Sequence, residues 1–444
     1  MSFDRESLLR TLAGLAQLAG QPDRLVIAYS GGLDSEVLLH TLVKLRETFG
    51  ADLLALHADH GLQGASRGWA ERCEQRAEQL GVECRTLRVA VDTAAGQGIE
   101  AAAREARYGA FRNELQHGDW LLSAHHKDDQ AETLLLNLLR GSGPAGLAGI
   151  GEVQPCGPAW LVRPLLAYSR DELRHYAVAH NLQWIDDPSN EDRRFDRNYL
   201  RHEVFPVLRS RWPDASSRLR QSALLASEAA LLLDQLADAD LRTLGPRPDR
   251  LSLSGLCALD PERQRNLLRY AVRELGLPAV PASVLQSIVG DLLPAREDAQ
   301  PVVRWEGAEV RRYRDQVYLL PQTIESATDR AQPVEAGRAE LGAGMGLLRL
   351  EPGAASGLSD AVVAAGLEVR QRIGGEQIKP VGQPHTKKLK KLLQEEGVVP
   401  WMRDRLPLVF SGDRLVAVAD LWVADDAVSA PGTAIHWDDR PALH

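Results

Sequence analysis

Through the first half of the chain, short apolar runs of strand character alternate with stretches whose apolar positions recur at helical spacing. Residues 5–19 place Leu8, Leu9, Leu12, Leu15 and Leu18 on one stripe and predict a helix. Leu25-Val26-Ile27-Ala28-Tyr29 then predicts a strand, Ser30 to Ser35 a glycine turn, and Val37, Leu38, Leu39, Leu42, Val43 and Leu45 a second helix. The alternation continues with strands over 53–59, 83–91 and 120–124, helices over 68–80 and 99–115, and an apolar helix through Leu134 to Leu139. Strands separated by helices imply parallel order and right-handed crossovers, hence an α/β, doubly wound parallel sheet. In such sheets ligands sit beyond the carboxyl ends of the strands, where Ser30, His57, Asp59, His125 and His126 fall.

The second half breaks this rhythm. A leucine- and alanine-rich run over 222–240 predicts a long helix, followed by helices over 261–275 and 283–293 and a hairpin built from 302–305 and 310–320. Residues 321–338, with Pro321, Ser326, Thr328, Asp329 and Pro333, lack apolar periodicity and predict a linker. Beyond it, Val369 to Ile373 predicts a strand with Arg370 and Arg372 on one face. Residues 385–394 predict an amphipathic helix with Leu389, Leu392 and Leu393 as its core stripe, ended by Gly397, and a hairpin over 406–409 and 415–418 closes the chain. The expected organisation is a nucleotide-binding domain over 1–215, a helical/α+β middle domain over 216–320, the linker, and a small α+β domain over 339–444.

Composition sharpens this in three places. The formal charge of −9 does not suggest a polyanion partner, but five of the seven lysines, Lys379, Lys387, Lys388, Lys390 and Lys391, fall within one short segment. Residues 193–220 carry eight arginines against Asp196, Glu203 and Asp214. Two basic patches on an acidic chain point to a polyanion held at defined places. Cys73, Cys84, Cys156 and Cys257 are scattered, without Cys-x-x-Cys spacing, and are expected to be buried thiols with no disulfide partner and no cluster or zinc site. No run of about 18 apolar residues and no basic-then-apolar start exists, so a soluble, cytoplasmic protein without a membrane partner is expected.

The chemistry converges on strand ends. Ser30-Gly31-Gly32-Leu33-Asp34-Ser35 opens a helix directly after a strand, so backbone N–H groups and the helix dipole favour a phosphate there. It lacks the Gly-Lys-Ser/Thr ending of a Walker A loop. A serine- and aspartate-capped helix after a Gly-Gly turn is the plainer alternative. His125-His126-Lys127-Asp128-Asp129-Gln130-Ala131-Glu132 begins another helix with Asp129 and Glu132 on one face. Capping is the plainer role of such acids, Asp128 above all, yet two acids and two histidines at one corner exceed what a cap requires. A metal site is the competing functional reading of these ligands, but without a zinc-type spacing it ranks below a bridging Mg²⁺ that would arrive with a nucleotide. Arg104 and Arg107 share a helix face, where pairing of Glu100 with Arg104 competes with a bidentate grip on a carboxylate.

The motifs Ser-Gly-Gly-Leu-Asp-Ser, Gly98-Ile99-Glu100-Ala101-Ala102-Ala103-Arg104-Glu105-Ala106-Arg107-Tyr108, His-His-Lys-Asp-Asp-Gln-Ala-Glu-Thr, Arg163-Pro164-Leu165, Asp186-Asp187-Pro188-Ser189-Asn190 and Arg197-Asn198-Tyr199-Leu200-Arg201 stand in an ordered set. Together they resemble the tRNA(Ile)-lysidine synthetase family of ATP-pyrophosphatase-loop enzymes, closely over 20–215 and more loosely toward the C-terminus. The resemblance implies ATP-dependent ligation of L-lysine to C2 of the wobble cytidine of CAU-anticodon isoleucine tRNA. The products would be lysidine, AMP and pyrophosphate, formed through an adenylated cytidine. It implies ATP and Mg²⁺ as cofactors. Ser30, Gly31, Gly32, Leu33, Asp34, Ser35, His57, Asp59 and His125 would bind ATP, and Asp34, Arg107, Asp129 and Glu132 would surround lysine and carry catalysis. Arg107 is preferred to Arg104 because it immediately precedes the tyrosine. Arg193, Arg194, Arg197, Arg201, Arg370, Arg372, Lys387, Lys388, Lys390 and Lys391 would bind tRNA. The alternatives are a tRNA thiolation enzyme on the same loop, against which the cysteine spacing speaks, and a catalytically silent tRNA-binding protein, against which Asp34, Asp129 and Glu132 speak.

Overall fold

A computed structural model describes residues 3–59, 66–90, 99–296, 299–322, 331–342, 344–441 and 443. His60-Gly61, Gly98, the side chain of Glu100 and the centre of the expected linker, 323–330, lie outside them. The chain forms two compact units, Met1–Leu233 and Asp234–His444.

In the first unit the elements run α1 (Arg5–Ala19), β1 (Arg24–Ala28), α2 (Leu33–Phe49), β2 (Asp52–Asp59), α3 (Ser66–Gln79), β3 (Glu83–Arg88), α4 (Ile99–Glu114), β4 (Asp119–Leu122), α5 (Lys127–Leu139), α6 (Pro144–Leu147), β5 (Val153–Cys156), β6 (Ala159–Val162) and α7 (Arg170–Ala179). The sheet order is β3-β2-β1-β4-β6-β5, with every pair parallel except the edge pair β5–β6. Alternate residues of each strand face opposite layers. Leu25, Ile27, Trp120 and Leu122 meet Leu8, Leu12, Leu38, Leu42 and Leu173 on the face covered by α1, α2 and α7. Val26, Leu54, Leu56 and Leu121 meet Phe111 of α4 and Leu115 just beyond its end on the other. Strand order reverses between β1 and β4, so a crevice opens beyond their carboxyl ends. The chain then passes through α8 (Asp196–Tyr199), a π-helical turn (Leu200–Val204), α9 (Phe205–Arg211) and α10 (Ala215–Leu244).

In the second unit, Arg250–Ser252, Gln316–Pro321, Ala308–Tyr313 and Val302–Trp305 form an antiparallel sheet in that order beside the helices Pro261–Glu274 and Ala282–Ser287. The expected hairpin over 302–320 is therefore three strands. Turns at Gly307 (φ 74°) and Arg314 (φ 54°) break the run twice, and Asp315 holds the second turn by accepting the Ser254 N–H at 2.9 Å. Part of the expected linker is ordered as well, because Gln332–Pro333 pairs with Glu368 and Val369. The expected helix over 385–394 starts only at Leu389 and ends at Glu395; Lys387 and Lys388 instead pair antiparallel with Gln377 and Ile378. Leu389, Leu392 and Leu393 are buried as the stripe requires. The strand at Glu368–Arg370 stops short of Arg372, so Arg370 and Arg372 do not share a strand face. Nor are all four cysteines buried: Cys73 and Cys156 are, Cys84 is half-buried and Cys257 is exposed, all as free thiols.

Candidate active site

Gly31 (φ +77°) turns the chain out of β1. A Cβ at Gly31 would lie 2.7 Å from Cys73 Sγ and 2.8 Å from Ile185 Cδ1, while its carbonyl accepts the Ile185 N–H at 2.9 Å. Both the backbone angle and the close approach demand glycine. Gly32 stands at the N-cap of α2, and among the described residues no side chain caps the N–H groups of the first turn. Ser35 Oγ donates to the Gly32 carbonyl at 3.0 Å and lies 3.1 Å from Ser30 Oγ, which fixes the turn without closing it. A 17-residue helix with its amino end left open in this way has the geometry and dipole that suit an anion.

Across the crevice, α5 is capped. His126 Nδ1 accepts the Asp129 N–H at 3.3 Å, and Asp129 Oδ2 accepts the His126 N–H at 2.8 Å. With Nδ1 accepting, the ring proton sits on Nε2, 3.7 Å from Asp34 Oδ2. The expected cap, Asp128, does something else: its carboxylate takes the Arg170 N–H at 2.9 Å and the Arg209 guanidinium at 2.6 Å, tying the starts of α5 and α7 to α9.

Three carboxylates face this corner in different electrostatic states. Burial pushes the Asp34 carboxyl up against the opposing pull of His126, and Asp34 Oδ1 is buried with no hydrogen-bond partner. Burial would raise Asp129 as well, but His126, His125 and Arg201 overcome it and hold the group low. Glu132, 1 % exposed, receives a two-pronged contact from Arg201, Nε to Oε1 at 2.9 Å and Nη2 to Oε2 at 3.0 Å. The same Nη2 reaches Asp129 Oδ1 at 3.4 Å. His125 is half-buried in the cleft wall, where desolvation pushes its pKa down to about 3, and its Nδ1 meets Ser123 Oγ at 2.5 Å.

These groups border a cleft of about 350 Å³. Ser30, Gly32, Leu33, Asp34, Ser35, Arg104, Arg107, Tyr108, His125 and Asp129 line it, together with Arg170, Asp186, Asn190 and Arg201. Of the expected ATP and lysine residues, Gly31, His57, Asp59 and Glu132 are not in its wall. His57 sits behind the loop, its Nδ1 3.0 Å from the Tyr29 carbonyl, Asp59 ends β2, and the Glu132 carboxylate is enclosed by Arg201. Arg201, expected as a tRNA contact, is thus a component of the cleft, brought to Glu132 across 69 residues of chain by the π-helical turn. No local pattern signals that pairing. The other expected tRNA contacts of this unit are partnered too: Arg193 with Glu203, Arg194 with Asp192 at 2.6 Å, and Arg197 with Thr133 at 3.1 Å. In the second unit Arg370 binds Glu368 at 3.0 Å, Arg372 binds Asp404 at 2.6 Å and Lys387 binds Glu395 at 3.1 Å. Lys388, Lys390 and Lys391 are exposed, Lys391 at 4.0 Å from Glu395. Among the described residues no helix is long and apolar enough to cross a membrane, and no group of three or more His, Cys, Asp or Glu is arranged to hold a metal ion.

A strand, an open glycine turn and a helix at the switch point of a doubly wound sheet define a phosphate-loop nucleotide-binding protein. A family profile described as PP-loop domain matches residues 6–208. Two more, described as TilS substrate binding domain and TilS substrate C-terminal domain, match residues 251–318 and 367–437. The chain is 44 % identical over 431 residues to the tRNA(Ile)-lysidine synthase of Alkalilimnicola ehrlichii, covering 96 % of this chain and 95 % of that one. It is 39 % identical over 437 residues to the synthase of Coxiella burnetii, covering 98 % and 96 %, and 41 % identical over 421 residues to that of Pectobacterium atrosepticum, covering 94 % of each. The chain belongs to the tRNA(Ile)-lysidine synthase family.

Proposed function

We propose that this chain joins L-lysine to C2 of the wobble cytidine of a CAU-anticodon isoleucine tRNA, using ATP and releasing AMP and pyrophosphate. The observation that carries it is the pairing, in one cleft, of an open helix amino end with the half-buried carboxylates of Asp34 and Asp129, backed by Glu132. The first suits a triphosphate and the second a cationic amino acid. In the first step the cytidine O2 attacks the α-phosphorus and pyrophosphate leaves. In the second the lysine ε-nitrogen bonds C2, the C2–O bond breaks and AMP leaves. The α2 amino end and Ser30 and Ser35 receive the phosphates, where fixed N–H dipoles stabilise charge gathering on the leaving pyrophosphate. Asp129 and Glu132, held low or paired to Arg201, supply the negative field for the ammonium group, and Arg107 faces the lysine carboxylate.

The chain's residues fit a nucleotide-borne Mg²⁺, because Asp34 Oδ1 is a hard oxygen donor buried beside the loop without a partner. Asp34 would hold the ion, which when bound would neutralise charge on the phosphates. Residues 1–215 would perform the chemistry, and 216–320 and 339–444, joined through 321–338, would hold the tRNA. The test is incubation with labelled lysine, ATP and CAU-anticodon isoleucine tRNA. Label in tRNA with matching AMP and pyrophosphate is expected; ATP consumption without lysine transfer overturns the proposal.

A further inference from the structure

The two anion-binding elements assigned above leave a third cationic feature of the cleft without a ligand. Arg104 lines the wall with its guanidinium 5.0 Å over the ring of Tyr108, which lines the same wall. Behind them lies Arg163, at the end of β6 and 3 % exposed. Its Nη1 donates to the Gly151 carbonyl at 2.5 Å, Tyr108 and Arg104 are among the groups that act on it electrostatically, and among the described residues its buried Nε has no partner. Among the described residues no carboxylate pairs with Arg104 or Arg163. A buried guanidinium without a counter-ion is costly, and an unsatisfied buried donor adds to the cost. The positive field of Arg163 falls on the Tyr108 side of the cleft, where Arg104 already carries a second uncompensated charge.

From these observations we infer that Arg104, seated over the Tyr108 ring and backed by Arg163, is the cleft's contact for a phosphodiester of the RNA strand at the reacting nucleotide. The inference rests on the proposed tRNA substrate, and it follows from assigning the charges one by one. Nucleotide phosphates have the open end of α2. Arg201 is committed to Glu132 and Asp129, Arg107 is proposed for the amino acid's carboxylate, and Arg170, the other arginine of the wall, stands at the start of α7 with its backbone N–H held by Asp128. The remaining anion of the reaction is the RNA backbone. A guanidinium braced on an aromatic ring matches it, because stacking fixes the plane while leaving the N–H edge outward for phosphate oxygens. Tyr108 and Arg163 are positioning residues; Arg104 makes the contact.

The test is equilibrium binding of a CAU anticodon stem–loop across a salt series, without turnover, so that it reads the contact even if ligation fails. Arg104→Gln is expected to weaken binding about tenfold and to flatten the slope of log K against log salt by about 0.7, one single-strand phosphate contact. Tyr108→Leu should do the same and Tyr108→Phe should not, since the ring alone braces the guanidinium. Arg163→Met should weaken binding while Arg163→Lys, which keeps the charge, should restore most of it. In steady-state assays of Arg104→Gln the KM for ATP and for lysine should stay within about twofold of the parent. Unchanged stem–loop affinity and slope in Arg104→Gln overturns the inference. So does a rise in lysine KM with RNA binding intact, which would assign Arg104 to the amino acid's carboxylate. The proposed ligation itself fails independently, by absence of label transfer in the unsubstituted protein.

Discussion

Two helices begin at the same cleft, and they begin in opposite ways. At α2 the first-turn N–H groups have no side-chain cap, the N-cap is glycine, and the nearby Asp34 carries an unpartnered oxygen. At α5 the end is sealed by the reciprocal His126–Asp129 contacts, and its acids are claimed by Arg201, Arg170 and Arg209. A side-chain cap is worth about 1 kcal/mol over alanine but only a few tenths over glycine, so Gly32 leaves the α2 end open to an anion at little cost in stability. Sealing α5 does the converse: it fixes Asp128, Asp129 and Glu132 in place, the arrangement the proposed function uses to meet a cation. The proposed function is concentrated where the structure leaves groups unpartnered, and order where it pairs them.

The sharpest way to break this contrast is Asp34→Ala. If Asp34 acts on charge at the phosphates, pyrophosphate release should fall by about 10²- to 10³-fold with the fold intact. Near-normal release in a folded variant would show that the open helix end suffices. The same residue predicts a stability change of opposite sign. Burial raises its pKa, so its stabilising contribution is present below the ordinary carboxylate value and is lost as pH rises through the folded one. At neutral pH Asp34 therefore burdens the unliganded fold. Asp34→Asn should raise the melting temperature measured without nucleotide or metal by a few degrees, at about 2–4 °C per kcal/mol for a unit of this size. An unchanged or lower Tm would mean that His126 already neutralises the charge.

On the sealed side, Glu132→Gln removes a charge-assisted contact worth about 1.5–3 kcal/mol. Lysine KM should rise about 10- to 100-fold while ATP affinity stays within about twofold, and Arg201 should fall back on Asp129 alone. Loss of ATP affinity with lysine KM unchanged would move Glu132 to the nucleotide side.

The open end was legible in the sequence and the sealed end only half so, and the reason is range. Strand, turn and helix around Ser30 to Ser35 are neighbours in the chain, and periodicity with two glycines is a local signal. At α5 the same local signal names acids at a helix start but cannot say which of them caps. That depends on His126 turning its ring inward and on α7 arriving to take Asp128, 42 residues on. The Arg201–Glu132 contact spans 69 residues and carries no pattern. The basic stretch containing Arg201 consequently read as a patch for a polyanion, although its arginines at 193, 194, 197 and 201 all have protein partners. Charge density along a sequence counts cations; it does not tell paired ones from unpaired ones.

A smaller effect tests the open turn itself. Gly31→Ala puts a methyl at φ +77° against Cys73 and Ile185, a strain of about 1–3 kcal/mol. About a tenfold loss of ATP affinity is expected, read by nucleotide titration, with lysine KM little changed. Full ATP affinity would show that the loop can shift without losing its anion geometry.

The smallest effect carries the contrast between paired and unpaired groups into the second unit, where the lysine cluster supplies both kinds within five residues. Lys387 is bound to Glu395 at 3.1 Å and Lys391 lies 4.0 Å from the same carboxylate, whereas among the described residues Lys388 and Lys390 have no carboxylate within ion-pair distance and are exposed. The buried stripe of Leu389, Leu392 and Leu393 anchors the segment, so alanine at the exposed positions should not disturb it. A phosphate that meets Lys387 or Lys391 must compete with Glu395, which reduces the net gain; one that meets Lys388 or Lys390 displaces only counter-ions. If this cluster grips tRNA, replacing Lys388 and Lys390 together should flatten the salt slope by about 1.4–1.8 and weaken binding several-fold. Replacing Lys387 and Lys391 should do less, because it also frees Glu395 to repel the backbone and so shifts affinity more than slope. Equal slope changes in the two double variants would mean that the ion pairs with Glu395 open without cost when RNA binds. No change in either would mean that the cluster is a solvated face, with the tRNA contacts of this unit carried elsewhere.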